Sequence, residues 1–307
     1  MTAASICIIG NVNVDLIARS VSELPPPGQE WQVERIDYRP GGAAANSALA
    51  LTALGSPTRL FGCVGDDDLG RLLLQSLGSA GVATGDVAVV RDMATGVSVA
   101  FEAPDRDRSF LISLGSLGRF DLAMIPEDAL RSRFVLVCGT FNLPRLRGQV
   151  QALLDEVRRE GGMTLFDPGW DPDGWTQQTR GELRELLPLV DVFLPNESEA
   201  GCLSESEDAW AAADALQRAS GGWVVVKRSS DGCIAAGPGG ARVSEEAPTV
   251  DMVDTTGAGD AFNAGLVLQL AEGMTMTESL PFAVRVASAA VSRPSSDRYP
   301  SRRDIAT

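Results

Sequence analysis

Asp254-Thr255-Thr256-Gly257-Ala258-Gly259-Asp260-Ala261-Phe262, with small and apolar residues continuing at helical spacing through Leu270, is the most informative stretch of the chain. Gly257 and Gly259 let the backbone turn sharply and leave its N–H groups open, and the helix that follows aims its positive end at the same spot. Such a turn is an anion cradle. An aspartate in the first turn, Asp260, would lie beside any phosphate held there. Spacing alone leaves two readings of Asp260 open: it caps the helix, or it does chemistry on what the cradle holds.

Outward from this segment the chain alternates. Ser5-Ile6-Cys7-Ile8-Ile9-Gly10 is a short β-favouring apolar run ending in glycine, and similar runs recur at Phe134 to Val137, Met163 to Phe166, Val192 to Leu194 and Trp223 to Val226. Helix-length patterns lie between, at Asn46 to Leu54, Leu69 to Ala80, Leu146 to Arg159 and Asp208 to Ala219. Strands alternating with helices predict an α/β fold of three layers, α/β/α, with a mostly parallel central sheet covered on both faces. Two stretches break the rhythm, at about 14–40 and 96–114, where Val97, Val99 and Phe101 alternate with smaller or polar residues. They predict a small antiparallel β lid inserted into one domain spanning residues 1–307. The polar tail from Pro294 to Thr307 reads as partly loose.

Absences narrow the chemistry. The 307 residues include no histidine, which excludes Ser-His-Asp and Cys-His catalysis and the H-E-x-x-H zinc helix, so a proton acceptor must be chiefly Asp or Glu. Lys227 is the only lysine and does not belong to a Walker A loop. No G-x-G-x-x-G follows the first strand, which argues against a dinucleotide-binding dehydrogenase. A formal charge of -15 disfavours nucleic acid as a partner. Five scattered cysteines without a C-x-x-C pair read as reduced thiols, and no apolar run is long enough to span a membrane, so a cytoplasmic location is expected.

Asp254 to Asp260 resembles the C-terminal signature of the ribokinase-like (PfkB) carbohydrate kinases. Gly41-Gly42-Ala43-Ala44-Ala45-Asn46, with Gly55 and Gly65 downstream, resembles the N-terminal signature of the same family, and the likeness covers nearly the whole chain. The resemblance implies an ATP-dependent sugar kinase in which Asp260 takes the proton of the attacking hydroxyl and the amides of Gly257, Ala258 and Gly259 form the hole for the moving phosphoryl group. A phosphoryl transfer with a loose transition state asks for positioning and charge stabilisation more than for a strong base, so an ionised Asp with a reference pKa of about 3.9 is adequate.

The same likeness assigns the sugar side to Asn13, Asp15, Gly41, Gly42 and Asn46. Asn196 and Glu199 match an N-x-x-E motif that organises the phosphates and Mg2+, the metal held through water, although Asn with Glu three residues later is also a capping box. Lys227, Ser229 and Gly232 match the nucleotide loop, with Ser229 standing where the pattern has its first glycine. Asp254 and Thr256 match half of a monovalent cation site, but Arg293-Pro294-Ser295-Ser296 departs from the pattern of the other half and puts K+ in doubt. The missing glutamate in Cys138-Gly139-Thr140-Phe141-Asn142 weakens ribose as acceptor. Phe166-Asp167-Pro168-Gly169-Trp170, with Trp175 beyond, looks more like the branch that phosphorylates fructose or 2-keto-3-deoxygluconate, and Arg108 on the lid could meet an acidic substrate. A hexose or keto-sugar acid is therefore favoured over ribose or a nucleoside. A catalytically silent sugar or nucleotide sensor on the same fold is the competing class. Lid strands with one apolar face need a partner, and the resemblance, in whose family the flaps of two subunits often pair, implies a homodimer.

Overall fold

The alternating runs become strands because each places its odd and even residues against different helix layers. In the computed structural model, which describes residues 5–21, 23–103 and 106–305, the strands are β1 (Ile6–Gly10), β2 (Asn13–Ala18), β3 (Ile36–Gly41), β4 (Arg59–Gly65), β5 (Val87–Val90), β6 (Val97–Ala103) and β7 (Arg106–Ser113), followed by β8 (Phe134–Cys138), β9 (Met163–Asp167), β10 (Val192–Phe193), β11 (Trp223–Lys227), β12 (Cys233–Gly237) and β13 (Ala241–Glu245). Nine of them form one sheet in the order β13-β12-β11-β10-β9-β8-β1-β4-β5. From β11 to β5 every pairing is parallel, and β12 and β13 add an antiparallel edge.

The two faces carry separate cores. Ile6, Ile8, Leu136 and Leu165 pack with the helices Ala43–Ala53, Ala258–Ala271 and Met276–Val291, whereas Cys7, Ile9, Val135 and Val137 pack with Val150–Arg159 and Ala209–Ser220 on the other side. Full burial on both faces explains why these strands read as continuous apolar runs, each large side chain contributing roughly 1.5–3 kcal/mol. Small residues set the helix spacing: a Cβ on Gly265 would lie 3.0 Å from the Cα of Ala283 in the neighbouring helix.

The four-stranded lid has the order β3-β2-β6-β7. Its two hairpins, β2/β3 and β6/β7, are antiparallel, and β2 and β6 join them as a parallel pair. The Arg108 side chain lies outside the described residues. Two expectations need correction. The Leu146 to Arg159 pattern is broken into Pro144–Arg147 and Val150–Arg159, with Gly148 closing the first turn. The polar tail is packed through its described residues: Arg298 is buried, Tyr299 bonds to Asn46, and Arg302 donates to the Leu54 carbonyl. Among the described residues no helix is long and apolar enough to cross a membrane.

Candidate functional site

Parallel strands deliver their carboxyl ends to one edge of the sheet, the usual place for ligands in open α/β sheets. Here that edge receives Gly10, Cys138, Asp167 and Lys227, with Asn196 bridged to Lys227 just beyond β10.

Asp260 stands in the first turn of the Ala258–Ala271 helix, after Gly257, whose φ of 75° favours glycine. The first amides of a helix lack intrahelical partners. Among the described residues the Ala258 amide makes a long bond of 3.3 Å to the Thr255 carbonyl, while no acceptor is recorded for the amides of Gly257 and Gly259. Asp260 itself is half-buried and does not cap its own helix. Its Oδ2 accepts from Asn46 Nδ2 at 2.9 Å, and Asn46 Oδ1 accepts from the Tyr299 hydroxyl at 3.0 Å. Asn46 belongs to the first turn of the Ala43–Ala53 helix, which also begins on a left-handed glycine, Gly42 (φ 93°). Two glycine-started helices from opposite ends of the chain thus meet at one carboxylate.

On the sugar-signature side, strand register brings the matched residues together. Asn13 is opposite Gly41 and Asp15 opposite Arg39 in the β2/β3 hairpin. Asn13 Nδ2 donates to Asp15 Oδ1 at 2.9 Å, and Asn11 Nδ2 donates to Asn13 Oδ1 at 3.1 Å. A Cβ on Gly41 would lie 2.2 Å from the Asp15 carboxyl, and one on Gly42 would strike the Asn11 carbonyl, so both positions require glycine by close approach. Burial raises the Asp15 carboxyl above its ordinary pKa, against the opposing charge of Arg39.

On the other side Asn196 and Glu199 form a true capping box: Asn196 Oδ1 accepts from the Glu199 amide, and Glu199 Oε2 accepts from the Asn196 amide, each at 2.8 Å. Lys227, at the end of β11, keeps its side chain only 13% exposed. Its Nζ donates to Asp167 Oδ2 at 2.6 Å, an oxygen that also accepts from Asn263 Nδ2 at 2.6 Å. A Cβ on Gly259 would lie 3.5 Å from that ammonium, so the one lysine of the chain rests against the glycine turn. Burial disfavours its charge, yet Asp167 and Glu199 more than offset this and hold its pKa above the ordinary value. Ser229 and Gly232 are not drawn to Asp260. Ser229 is exposed with φ 51°, taking the left-handed conformation for which glycine is suited, and Gly232 is held by close approach to the Glu245 carbonyl.

Asp167, Glu199 and Asp260 therefore share one lysine. Burial, and next the Asp167 carboxylate, push Asp260 up to about 7 against the Asn46 hydrogen bond and Lys227. Glu199 is raised by the same two causes in the same order. The expectation of an ordinary Asp is corrected accordingly: negative charge in this corner is under-compensated, and a bound cation would relieve it. Among the described residues no group of His, Cys, Asp and Glu is arranged to hold a metal ion directly. The donors present suit Mg2+ that arrives with phosphates and keeps its waters.

The monovalent cation expected at Asp254 and Thr256 does not fit. Arg298 donates to both the Asp254 carboxylate and the Thr256 carbonyl, and Arg39 and Ser295 donate to the same Asp254 oxygen at 3.0 and 2.9 Å.

Asp167, Asn263, Tyr299, Arg39 and Arg298 were not among the site residues read from sequence. Asn263 had a signal, a polar residue one turn beyond Asp260 within the otherwise small and apolar run from Ala261 to Leu268. A concavity of about 640 Å3 lies at the opposite, amino-terminal edge of the strands, beside Arg133, Met163 and Trp223, and none of the residues above line it.

The pfkB family carbohydrate kinase model matches residues 3–302. The chain is 34% identical over 259 residues to an ATP-dependent ribose-1-phosphate kinase of Halopiger xanaduensis, covering 84% of this chain and 82% of the relative. It is 31% identical over 278 residues to a fructokinase of Klebsiella pneumoniae, covering 85% of each. The solved structure of Arabidopsis thaliana ribokinase complexed with ribose and ATP superposes with a TM-score of 0.84 at 26% identity, over 99% of this chain and 98% of that one. With both glycine turns in place and this coverage, the chain belongs to the pfkB family of carbohydrate kinases.

Proposed function

We propose that this protein transfers the γ-phosphoryl group of ATP to a hydroxyl of a small carbohydrate, with Asp260 as the base and the Gly257, Ala258 and Gly259 turn as the phosphoryl cradle. The observation that carries the reading is Asp260 itself: a carboxyl pushed up to about 7 beside open helix amides, tied through Asn46 to the sugar-signature side. A base matched to neutral pH is better suited to taking a proton than an ordinary aspartate. ATP with Mg2+ supplies the phosphoryl group and neutralises its oxygens. Asn13 and Asp15, with the backbone of Gly41 and Gly42, would grip neighbouring hydroxyls, and Asn46 would hold Asp260 in line with the hydroxyl to be phosphorylated. Lys227 would stabilise charge on the moving group from beneath Gly259. Glu199 and Asn196 would order the waters of Mg2+, and the turn bearing Ser229 and Gly232 would lie along the nucleotide.

A hexose or keto-sugar acid remains the favoured acceptor, supported by the fructokinase relative. The stretch quoted for that branch supports it less than expected, because Asp167 is committed to Lys227 and Asn263. A phosphorylated pentose is the second reading, favoured by the 34% identical relative. ADP release with Mg-ATP and a panel of fructose, 2-keto-3-deoxygluconate, ribose, ribose 1-phosphate and adenosine tests both. Turnover on one of the first two supports the favoured reading, turnover on ribose 1-phosphate alone replaces it, and no turnover on any of the panel removes both. The reading includes one kinase domain with lid insertions at about 14–40 and 96–114. It also includes a homodimer formed through the lid, whose edge strand β7 exposes Phe110, Leu111 and Ile112.

A further inference from the structure

We infer that the guanidinium of Arg298 is a resident cation of the phosphoryl cradle, which makes this kinase independent of monovalent metal ions. The inference rests on reading the Gly257 to Gly259 turn as the cradle. A monovalent cation beside that turn would use two oxygens, the Asp254 carboxylate and the Thr256 carbonyl. Arg298 holds both through its two terminal nitrogens, Nη2 on Asp254 and Nη1 on Thr256. Its side chain is only 5% exposed and that of Asp254 1%, so the pair is sealed from water and cannot be displaced without opening the fold.

The surrounding charge is already provided for. Arg39 Nη1 lies 3.0 Å from Asp254 Oδ2, and Arg19 Nη2 lies 3.9 Å from the same oxygen. Arg19 is further paired with Asp37 and Glu102, and Arg39 with Asp15 at 3.5 Å. Three guanidinium groups converge on one carboxylate oxygen, and a fourth positive charge there would meet repulsion while Asp254 Oδ2 and the Thr256 carbonyl are already engaged. The geometry also reaches the cradle. Asp254 Oδ1 accepts from the Thr256 amide at 3.0 Å, which folds the chain back just before Gly257, and a Cβ on Gly257 would lie 3.3 Å from Arg298 Nη1. A planar fork that donates in two directions can fix a carboxylate and a carbonyl together, which a lysine or a sphere cannot do with the same direction. Arg298 is a positioning residue: it acts through the Asp254 to Gly257 backbone, not on the reacting atoms.

The test compares the wild type and Arg298→Ala in potassium chloride and in tetramethylammonium chloride at equal ionic strength. The wild type is expected to show the same kcat and the same Tm in both salts. Arg298→Ala, which uncovers a buried carboxylate and a carbonyl, is expected to lose about 10- to 100-fold in kcat more than in KM. It should regain part of that loss, and gain Tm, in potassium but not in tetramethylammonium. A wild-type rate or Tm that rises several-fold or several degrees with potassium overturns the inference, as does a variant that responds equally to the two salts. Should the variant fail to fold, the wild-type comparison alone decides. Because Tm reports on the cation without turnover, an inactive substrate panel leaves this result readable, and failure of the kinase reading stays distinguishable from failure of the cation reading.

Discussion

Asp254 and Asp260 are six residues apart at the two ends of one glycine turn, and their surroundings are opposite. Asp254 is buried, and Arg39, Arg298 and Ser295 all donate to one of its oxygens. Asp260 is half-buried, with the neutral Asn46 amide as its side-chain donor among the described residues, and burial, then Asp167 and Asp15, raise its pKa against Lys227. The same side chain is thus set among cations at one end and beside other carboxyls at the other, the end at which we propose it reacts. Excess positive charge locks the turn. Deficient positive charge keeps a carboxyl near 7, where it can accept a proton and also lose one at physiological pH.

The contrast breaks most completely at Asp260. Asp260→Asn keeps the shape and the Asn46 contact region but removes the proton acceptor, and turnover should fall by about 10²- to 10⁴-fold while ATP still binds by calorimetry. Unchanged turnover would take Asp260 out of the mechanism. Lys227→Met sharpens the comparison instead, because it removes the cation that acts on Asp260 and pairs with Asp167. Breaking the buried pair with Asp167 should cost about 3–5 kcal/mol in unfolding free energy. The same variant tests the titration. A base must be ionised to work, so the wild-type kcat/KM of the free enzyme should fall on the acid side of about 7, the value to which Asp260 is pushed. Loss of the Lys227 charge raises a carboxyl further, so the acid limb should move to higher pH. A limb that stays in place, or one near the ordinary carboxylate range in the wild type, would contradict the electrostatic account. The smallest effect belongs to the nucleotide-loop position. Ser229→Gly relieves a left-handed residue at the cost of chain entropy and should change stability by no more than about 1 kcal/mol, read from denaturant midpoints.

Local features were legible in the sequence. The strands β1, β8, β9, β10 and β11 were visible because burial on both faces leaves unbroken apolar runs, and the two glycine turns because left-handed backbone and close approach leave few alternatives to glycine at Gly42 and Gly257. What escaped was non-local. Asp167 and Lys227 are 60 residues apart and belong to different strands, so nothing in either neighbourhood announces the pair. Arg298 and Tyr299 lie in a polar tail that reads as loose, and only the folded chain shows that Asp254 and Asn46 are their partners. The capping box at Asn196 and Glu199, open in the sequence beside the phosphate-motif reading, is local geometry, but Glu199's raised pKa comes from burial and then from Asp167, supplied by another strand.

Asn46 carries a last consequence. Its amide oxygen is occupied by the Tyr299 hydroxyl, so its nitrogen is obliged to face Asp260, and it engages Oδ2. Among the described residues no side chain donates to Oδ1, which leaves it the more open of the two carboxylate oxygens. On the proposed reading, the orientation of an amide on the opposite helix would bias which hydroxyl of an acceptor meets the base.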